Sequence, residues 1–173
     1  RKLSKMWQPR EDEGHVQRVI AIEDVPLEQG TWLVLGRTHS KLESLKENLK
    51  ERAIYYEYKN RKSYRQRLFR NILNYTRWTK GDKLSLTECK DLFEFLELEW
   101  VQTEERLYDL KEFGFSFTDH WYQVFKSDPE ESLYVRQMLS NGEKLQDAPR
   151  VKLSTIHAAK GGEADNVLIC LLY

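Results

Sequence analysis

The sequence predicts an α/β fold, a parallel sheet interrupted by a mostly helical insertion. Three observations predict it. Two β-rich runs flank an amphipathic helix between Thr31 and Tyr58. A second pair of β-rich runs, Val151 to Leu172, closes the chain. Between them lies a long charged stretch with helical spacing. Strand, helix and strand joined by short links make the repeating unit of a parallel sheet.

In chain order, Val16 to Ile22 (VQRVIAI) is short and β-rich and reads as a strand. A turn-like segment, Glu23 to Gly30, follows. Thr31 to Leu35 (TWLVL) is a continuous apolar run, as expected of a strand covered on both faces, and it stops at Gly36-Arg37-Thr38. Ser40 to Arg52 places Leu42, Leu45 and Leu49 at helical steps, with Ser40 as the cap and Glu43 in capping-box spacing. Ala53 to Tyr58 (AIYYEY) reads as the next strand.

The composition changes after Tyr58. Lys59 to Lys90 holds ten cations against two anions, and Asp91 to Glu112 holds eight anions against two cations. Leu68, Ile72 and Tyr75 keep helical spacing, as do Leu92, Phe93, Leu96 and Trp100. Asp128-Pro129 opens a further helix with Leu133, Val135, Met138 and Leu139 on its apolar side, and Asn141-Gly142 closes it. Residues 59–147 are therefore expected to form a mostly helical insert. Val151 to Ile156 alternates like a strand, and Asn166 to Leu172 reads as a buried strand.

The 173 residues fit one domain, or one domain carrying an insertion. Lys plus Arg and Asp plus Glu are 28 each, so bulk positive charge does not drive any contact with nucleic acid. No apolar run approaches the roughly 20 residues of a membrane-spanning helix. Cys89 and Cys170 are too few for a disulfide framework or a four-cysteine zinc site, and no metal site is expected in this chain. The chain opens on Arg1-Lys2-Leu3-Ser4 without an apolar leader or Met, and ends on Tyr173 inside an apolar run. The expectation is a fragment of a longer, cytoplasmic protein in a bacterial or phage-infected cell.

Chemistry concentrates between the last two predicted strands, in Thr155 to Asp165 (TIHAAKGGEAD). A loop at the carboxyl end of a strand is where open α/β sheets bind ligands. Its glycines let backbone amides approach a phosphate, and Lys160 adds charge. A polar turning loop without function has the same composition. In the insert, Tyr64, Phe69, Tyr75 and Trp78 alternate with Arg65, Arg67, Arg70 and Arg77, which suits a nucleic-acid strand. The favoured reading there is an aromatic core face with cations that solvate it or pair with the acidic helices.

The stretch Thr155-Ile156-His157-Ala158-Ala159-Lys160-Gly161-Gly162-Glu163 resembles motif V of the UvrD/Rep-like superfamily 1 DNA helicases, T-[IFL]-H-x-x-K-G-L-E. It departs at Gly162, where the family usually has Leu, and is in this more similar to bacteriophage members. Trp32 to Glu57, with its apolar strand, Arg37-Thr38, amphipathic helix and short Ile-Tyr strand, resembles motif IV. His39 stands where many relatives have Asn. The resemblance is strong over residues 14–58 and 148–172 and covers the insert by position alone.

The resemblance implies a RecA-like domain, 2A, built from 1–58 and 148–173, with 59–147 as a reduced 2B-like insert. It implies a P-loop NTPase-type second domain without the P-loop, since no G-x-x-x-x-G-K-[ST] occurs in the chain, and no run resembles the Asp-Glu pair that would hold Mg²⁺. Arg37 would act on the γ-phosphate of ATP as a catalytic and nucleotide-binding residue. Gly162 and Glu163 would lie at the nucleotide, Glu163 on its sugar. Thr155, His157, Lys160 and Gly161 would face single-stranded DNA. A structural hydrogen bond for His157 and a solvated cation for Lys160 remain open. The implied function is part of an ATP-dependent helicase that translocates on single-stranded DNA and unwinds duplex. ATP with Mg²⁺ would be held mainly by an N-terminal RecA-like ATPase domain of the same protein. The alternatives are a non-enzymatic nucleic-acid- or protein-binding module of the same fold, and a nucleotide binder that needs no P-loop.

Overall fold

In the computed structural model, residues 14–114, 120–159 and 163–170 are described. The fold is α/β. Its strands and helices are β1 (Trp32–Gly36), α1 (His39–Glu51), β2 (Tyr56–Tyr58), β3 (Arg61–Lys62), α2 (Gln66–Thr79), β4 (Leu84–Ser85), α3 (Leu86–Phe95), β5 (Leu107–Tyr108), α4 (Trp121–Val124), α5 (Pro129–Ser140), β6 (Val151–Thr155) and β7 (Asn166–Cys170). Five strands form a sheet in the order β3-β2-β6-β1-β7. Four of them run parallel, and β3 turns back antiparallel on β2. Strands from either side of the helical stretch thus share one sheet. β3 carries that sheet past Tyr58, through a hairpin whose Lys59 and Asn60 both take positive φ.

The register sorts the side chains. Val34, Val151, Leu153 and Tyr56 share one face, and α1 covers it with Leu42, Leu45 and Leu49. Leu33, Leu35, Val167 and Ile169 point to the other face. The expected burial of the last strand is not met. β7 is the sheet edge among the described residues, and Val167 and Ile169 are 53% and 51% exposed. Its apolar residues form a continuous run because they serve two faces, one covered and one open.

Three further expectations are corrected. Val16 to Ile22 forms no strand, and Val16 and Ile20 are exposed. Both edges of β1 are already taken by β6 and β7, so this run has no ladder to join there. Val25 and Leu27, beyond the short 3-10 turn Ile22–Asp24, enter the core in its place. Thr38, not Ser40, caps α1, accepting from the Lys41 amide, because the helix starts one residue before Ser40. Ala53 is the left-handed stop after α1 (φ 51°), so the strand starts at Tyr56.

Residues 63–147 build a second core. α2 buries Leu68, Ile72, Tyr75 and Trp78 against Leu92 and Phe93 of α3. Ser85 and Glu88 close a capping box at the start of α3. That helix ends at Phe95, so Trp100 is not part of it and instead packs edge-on against Phe93 at 4.7 Å. Asp128 caps α5 and Pro129 opens it as expected. Its buried residues are Tyr134, Val135 and Met138, while Leu133 is exposed. The Tyr134 hydroxyl donates to the Ile54 carbonyl (2.7 Å) and the Tyr64 hydroxyl to the Leu145 carbonyl (2.7 Å). The first bond ties the helical part to the chain just before β2, and the second joins the start and end of the helical part. No described helix is long and apolar enough to cross a membrane.

Candidate functional site at the carboxyl edge of the sheet

The parallel register aligns the carboxyl ends of β1 and β6. Gly36 and Thr155 are partners, and the Ile156 amide donates to the Gly36 carbonyl (3.1 Å). Arg37 and the turn after Thr155 therefore leave the sheet side by side. The Thr155 hydroxyl accepts from the Ala158 amide (3.3 Å), and its carbonyl accepts from the Ala158 and Ala159 amides (both 3.0 Å). This turn holds His157 exposed at the rim. Arg37 is exposed too and makes no ion pair with a described residue. Arg37 and His157 are exposed at one rim beside the half-buried Thr155, and none of the three has a carboxylate partner among the described residues.

Gly36 permits the close packing beneath it. A Cβ there would lie 2.8 Å and 2.9 Å from the Leu42 Cδ2 and Cγ atoms. Leu42 is fully buried, so α1 can start directly under the rim only because position 36 has no side chain.

The loop then returns to the opposite end of the sheet. The Thr31 amide and hydroxyl both donate to Asp165 Oδ2 (3.1 and 2.6 Å), and the Asp165 amide donates back to the Thr31 hydroxyl (3.0 Å). The hydrogen bonds from the Thr31 side chain and then its amide hold the Asp165 carboxyl below its ordinary range. Gly30 has φ 69° and packs close to the Asn166 side chain. Sequence reasoning missed this clip. The signal for it was a Gly-Thr turn before one strand and an Asp-Asn pair before its neighbour.

Of the residues singled out from sequence, Arg37, Thr155 and His157 come together. Glu163 is exposed and lies two residues before Asp165, so chain reach keeps it within about 7 Å of the clip. It stands toward the amino ends of the strands and not beside Arg37, which is five strand residues away at about 3.3 Å each. Lys160, Gly161 and Gly162 lie outside the described residues.

The basic stretch of the insert is resolved by its partners. Tyr64, Phe69, Tyr75 and Trp78 are buried. Arg67 bridges Asp91 (3.0 Å) and Glu94 (2.5 Å), Arg70 reaches Asp91 (2.6 Å) and Arg77 reaches Glu88 (2.9 Å). Burial raises the Asp91 pKa, and the hydrogen bonds from Arg67 and Arg70 more than reverse this, leaving it below the ordinary value. The aromatics are core and these arginines are committed to α3.

No protein-family model matches the chain, and neither a curated protein nor a solved structure matches it.

Proposed function

We propose that the chain is the second RecA-like domain, 2A, with a reduced 2B-like insert, of an ATP-dependent superfamily 1 DNA helicase of bacteriophage type, acting in the cytoplasm. The observation that carries this reading is the pairing of Gly36 with Thr155. The stretches resembling motifs IV and V come from distant parts of the chain. Their Arg37 and Thr155-His157 leave neighbouring strands at one edge, as a shared phosphate-facing surface requires.

In this reading Arg37 stabilises charge on the transferred phosphoryl group, a task suited to a planar guanidinium. Its exposure and its lack of a carboxylate partner among the described residues leave it available for a phosphate. Glu163 is exposed but stands toward the amino ends of the strands, so its expected place on the sugar of the nucleotide beside Arg37 is not part of this proposal. When bound, ATP with Mg²⁺ supplies the phosphoanhydride bond whose hydrolysis drives movement. By the resemblance, Mg²⁺ would be held mainly by an N-terminal ATPase domain of the same protein. Thr155 and His157, with Lys160 and Gly161, face the DNA strand.

The test compares the 173-residue chain with the parent protein. The chain alone hydrolyses no ATP, because it has no phosphate loop. In the parent, Arg37→Ala slows DNA-stimulated hydrolysis by about 10³-fold while ATP still binds. Unchanged turnover in that variant would sink the enzymatic reading in favour of a binding module.

A further inference from the structure

The helical part, residues 63–147, leaves the sheet and returns to it through a neck of two chain segments. Outbound, β3 runs through Ser63 and Tyr64 straight into α2. On the return, the chain passes from the end of α5 past Leu145 to β6. A neck of two segments is where a hinge would sit, because a few residues there could change backbone angles and swing everything beyond them. This neck is not built that way.

Side-chain bonds cross it on both segments. Tyr134 of α5 donates its hydroxyl to the Ile54 carbonyl just before β2 (2.7 Å). Tyr55, beside it, donates to the Asp147 carbonyl (3.3 Å), and Lys62 of β3 donates to the Leu145 carbonyl (3.3 Å). Arg150, the residue before β6, donates through Nε and Nη2 to Glu143 Oε2 (3.3 and 3.2 Å) and through Nη1 to the Glu28 carbonyl. The Arg150 carbonyl accepts the Trp32 amide at the start of β1 (2.7 Å). One arginine thus joins the tail of the helical part, the turn before β1 and the sheet. The Tyr64 hydroxyl, on the Leu145 carbonyl, closes the outbound and return segments on each other.

Burial makes these bonds hard to break. Tyr55, Tyr64, Tyr134 and Leu145 are buried, and Glu143 is a buried carboxylate. A buried polar group that loses its partner keeps its desolvation cost and gains nothing in return. Ala53 and Tyr55 also belong to the core that α2, α3 and α5 build, so apolar contact crosses the neck at the same place. A swing about the neck would open that contact and orphan the carboxylate together.

We propose that the neck is a fixed joint, latched by the Glu143–Arg150 pair, and that the helical part and the sheet move as one rigid body. A displacement of Arg37 and the turn after Thr155 against another domain then carries the helical part with it, and any hinge of the full protein lies outside the neck. The joint does not depend on what the rim binds, so it stands or falls separately from the helicase reading.

Double electron–electron resonance between two spin labels on the 173-residue chain tests it. The labels replace exposed Glu47 of α1 and exposed Lys80 at the end of α2, in a Cys170→Ser background that leaves the buried Cys89 in place. The distance distribution across the neck should be a single peak, no wider than that of a control pair within the helical part, at Lys80 and the exposed Gln137. A broad or two-peaked distribution across the neck, beside a narrow control, overturns the joint. Two variants test the latch. Arg150→Gln removes the cation, and Glu143→Gln with Tyr134→Phe removes a charge and a hydroxyl at nearly constant volume. In each variant that circular dichroism shows to be folded, the peak across the neck should widen about twofold while the control stays narrow. An unchanged width in a folded variant shows that the pair is not the latch. If neither variant folds, the wild-type peak alone decides between a fixed joint and a hinge.

Discussion

The Gly36 carbonyl accepts the Ile156 amide at 3.1 Å, just where β1 and β6 end together. This one bond joins the two stretches that carry the functional proposal. Gly36 also packs tightly against α1, through Leu42. Gly36→Ala therefore forces a fully buried leucine to move, since its Cδ2 atom would be 2.8 Å from the new methyl. Overpacking of this kind costs about 1–3 kcal/mol. The urea midpoint should drop with an unchanged m-value. A midpoint equal to wild type would mean that Leu42 rearranges freely and that the rim is not built on this contact.

The Thr31–Asp165 clip fixes where the loop of residues 156–165 rejoins the sheet. Thr31→Val removes the hydroxyl that both donates to and accepts from Asp165. Limited proteolysis should then cut within residues 157–165 faster than in wild type, with global unfolding little changed. The clip is also sensitive to acid. The Asp165 pKa is lowered in the fold, so its contribution is complete above the ordinary value of 3.8 and disappears as pH falls through the lower folded value. Wild-type cleavage in the loop should accelerate on acidification below about pH 4, and the valine variant, which keeps the Thr31 amide bond to Asp165, should show a smaller step.

The readable and unreadable parts of this chain separate by physical range. α1 was legible from its three- and four-residue apolar rhythm, though not its cap, and the helix after Asp128 was legible from its Asp-Pro start, because both signals are local. The parallel direction of β1 and β2 followed from strand, helix and strand in sequence, but the place of β6 between them did not. Val16 to Ile22 misled because β propensity does not state whether a sheet edge is vacant. Asn166 to Cys170 misled for the converse reason, since an apolar run is the same whether one or both faces are covered. The gathering of Lys46 and Lys50 on α1 with Lys59 and Arg61 on the β2–β3 hairpin around one cleft was illegible because these residues become neighbours only when α1 folds over β2.

Arg67 and Arg70 are assigned to α3 and not to DNA. The pair of changes Arg67→Gln and Arg70→Gln should leave oligothymidylate affinity and its salt slope unchanged within error. Each exposed ion pair lost should cost about 0.2–1 kcal/mol. A loss of affinity of about tenfold would return the basic insert to the list of DNA-contacting surfaces.

The two thiols should differ in reactivity. Cys89 is completely buried within the α2–α3 core, and this burial, with Glu88 and Glu112 behind it, pushes its pKa up to about 12. Cys170 is half-buried at the end of β7, and burial raises its pKa as well. The thiolate is the reactive species, so both should be slow toward a disulfide reagent at neutral pH. Cys170 lies on the edge strand and needs only local fraying to be exposed, whereas Cys89 requires the helical core to open. The labelling rate of Cys89 should follow urea-induced unfolding of the insert, and that of Cys170 should exceed it under native conditions. Mass spectrometry of singly labelled protein checks the order. Labelling of Cys89 first would show that α2 and α3 separate before the sheet edge frays, against the packing of Trp78, Phe93 and Leu92 around that thiol.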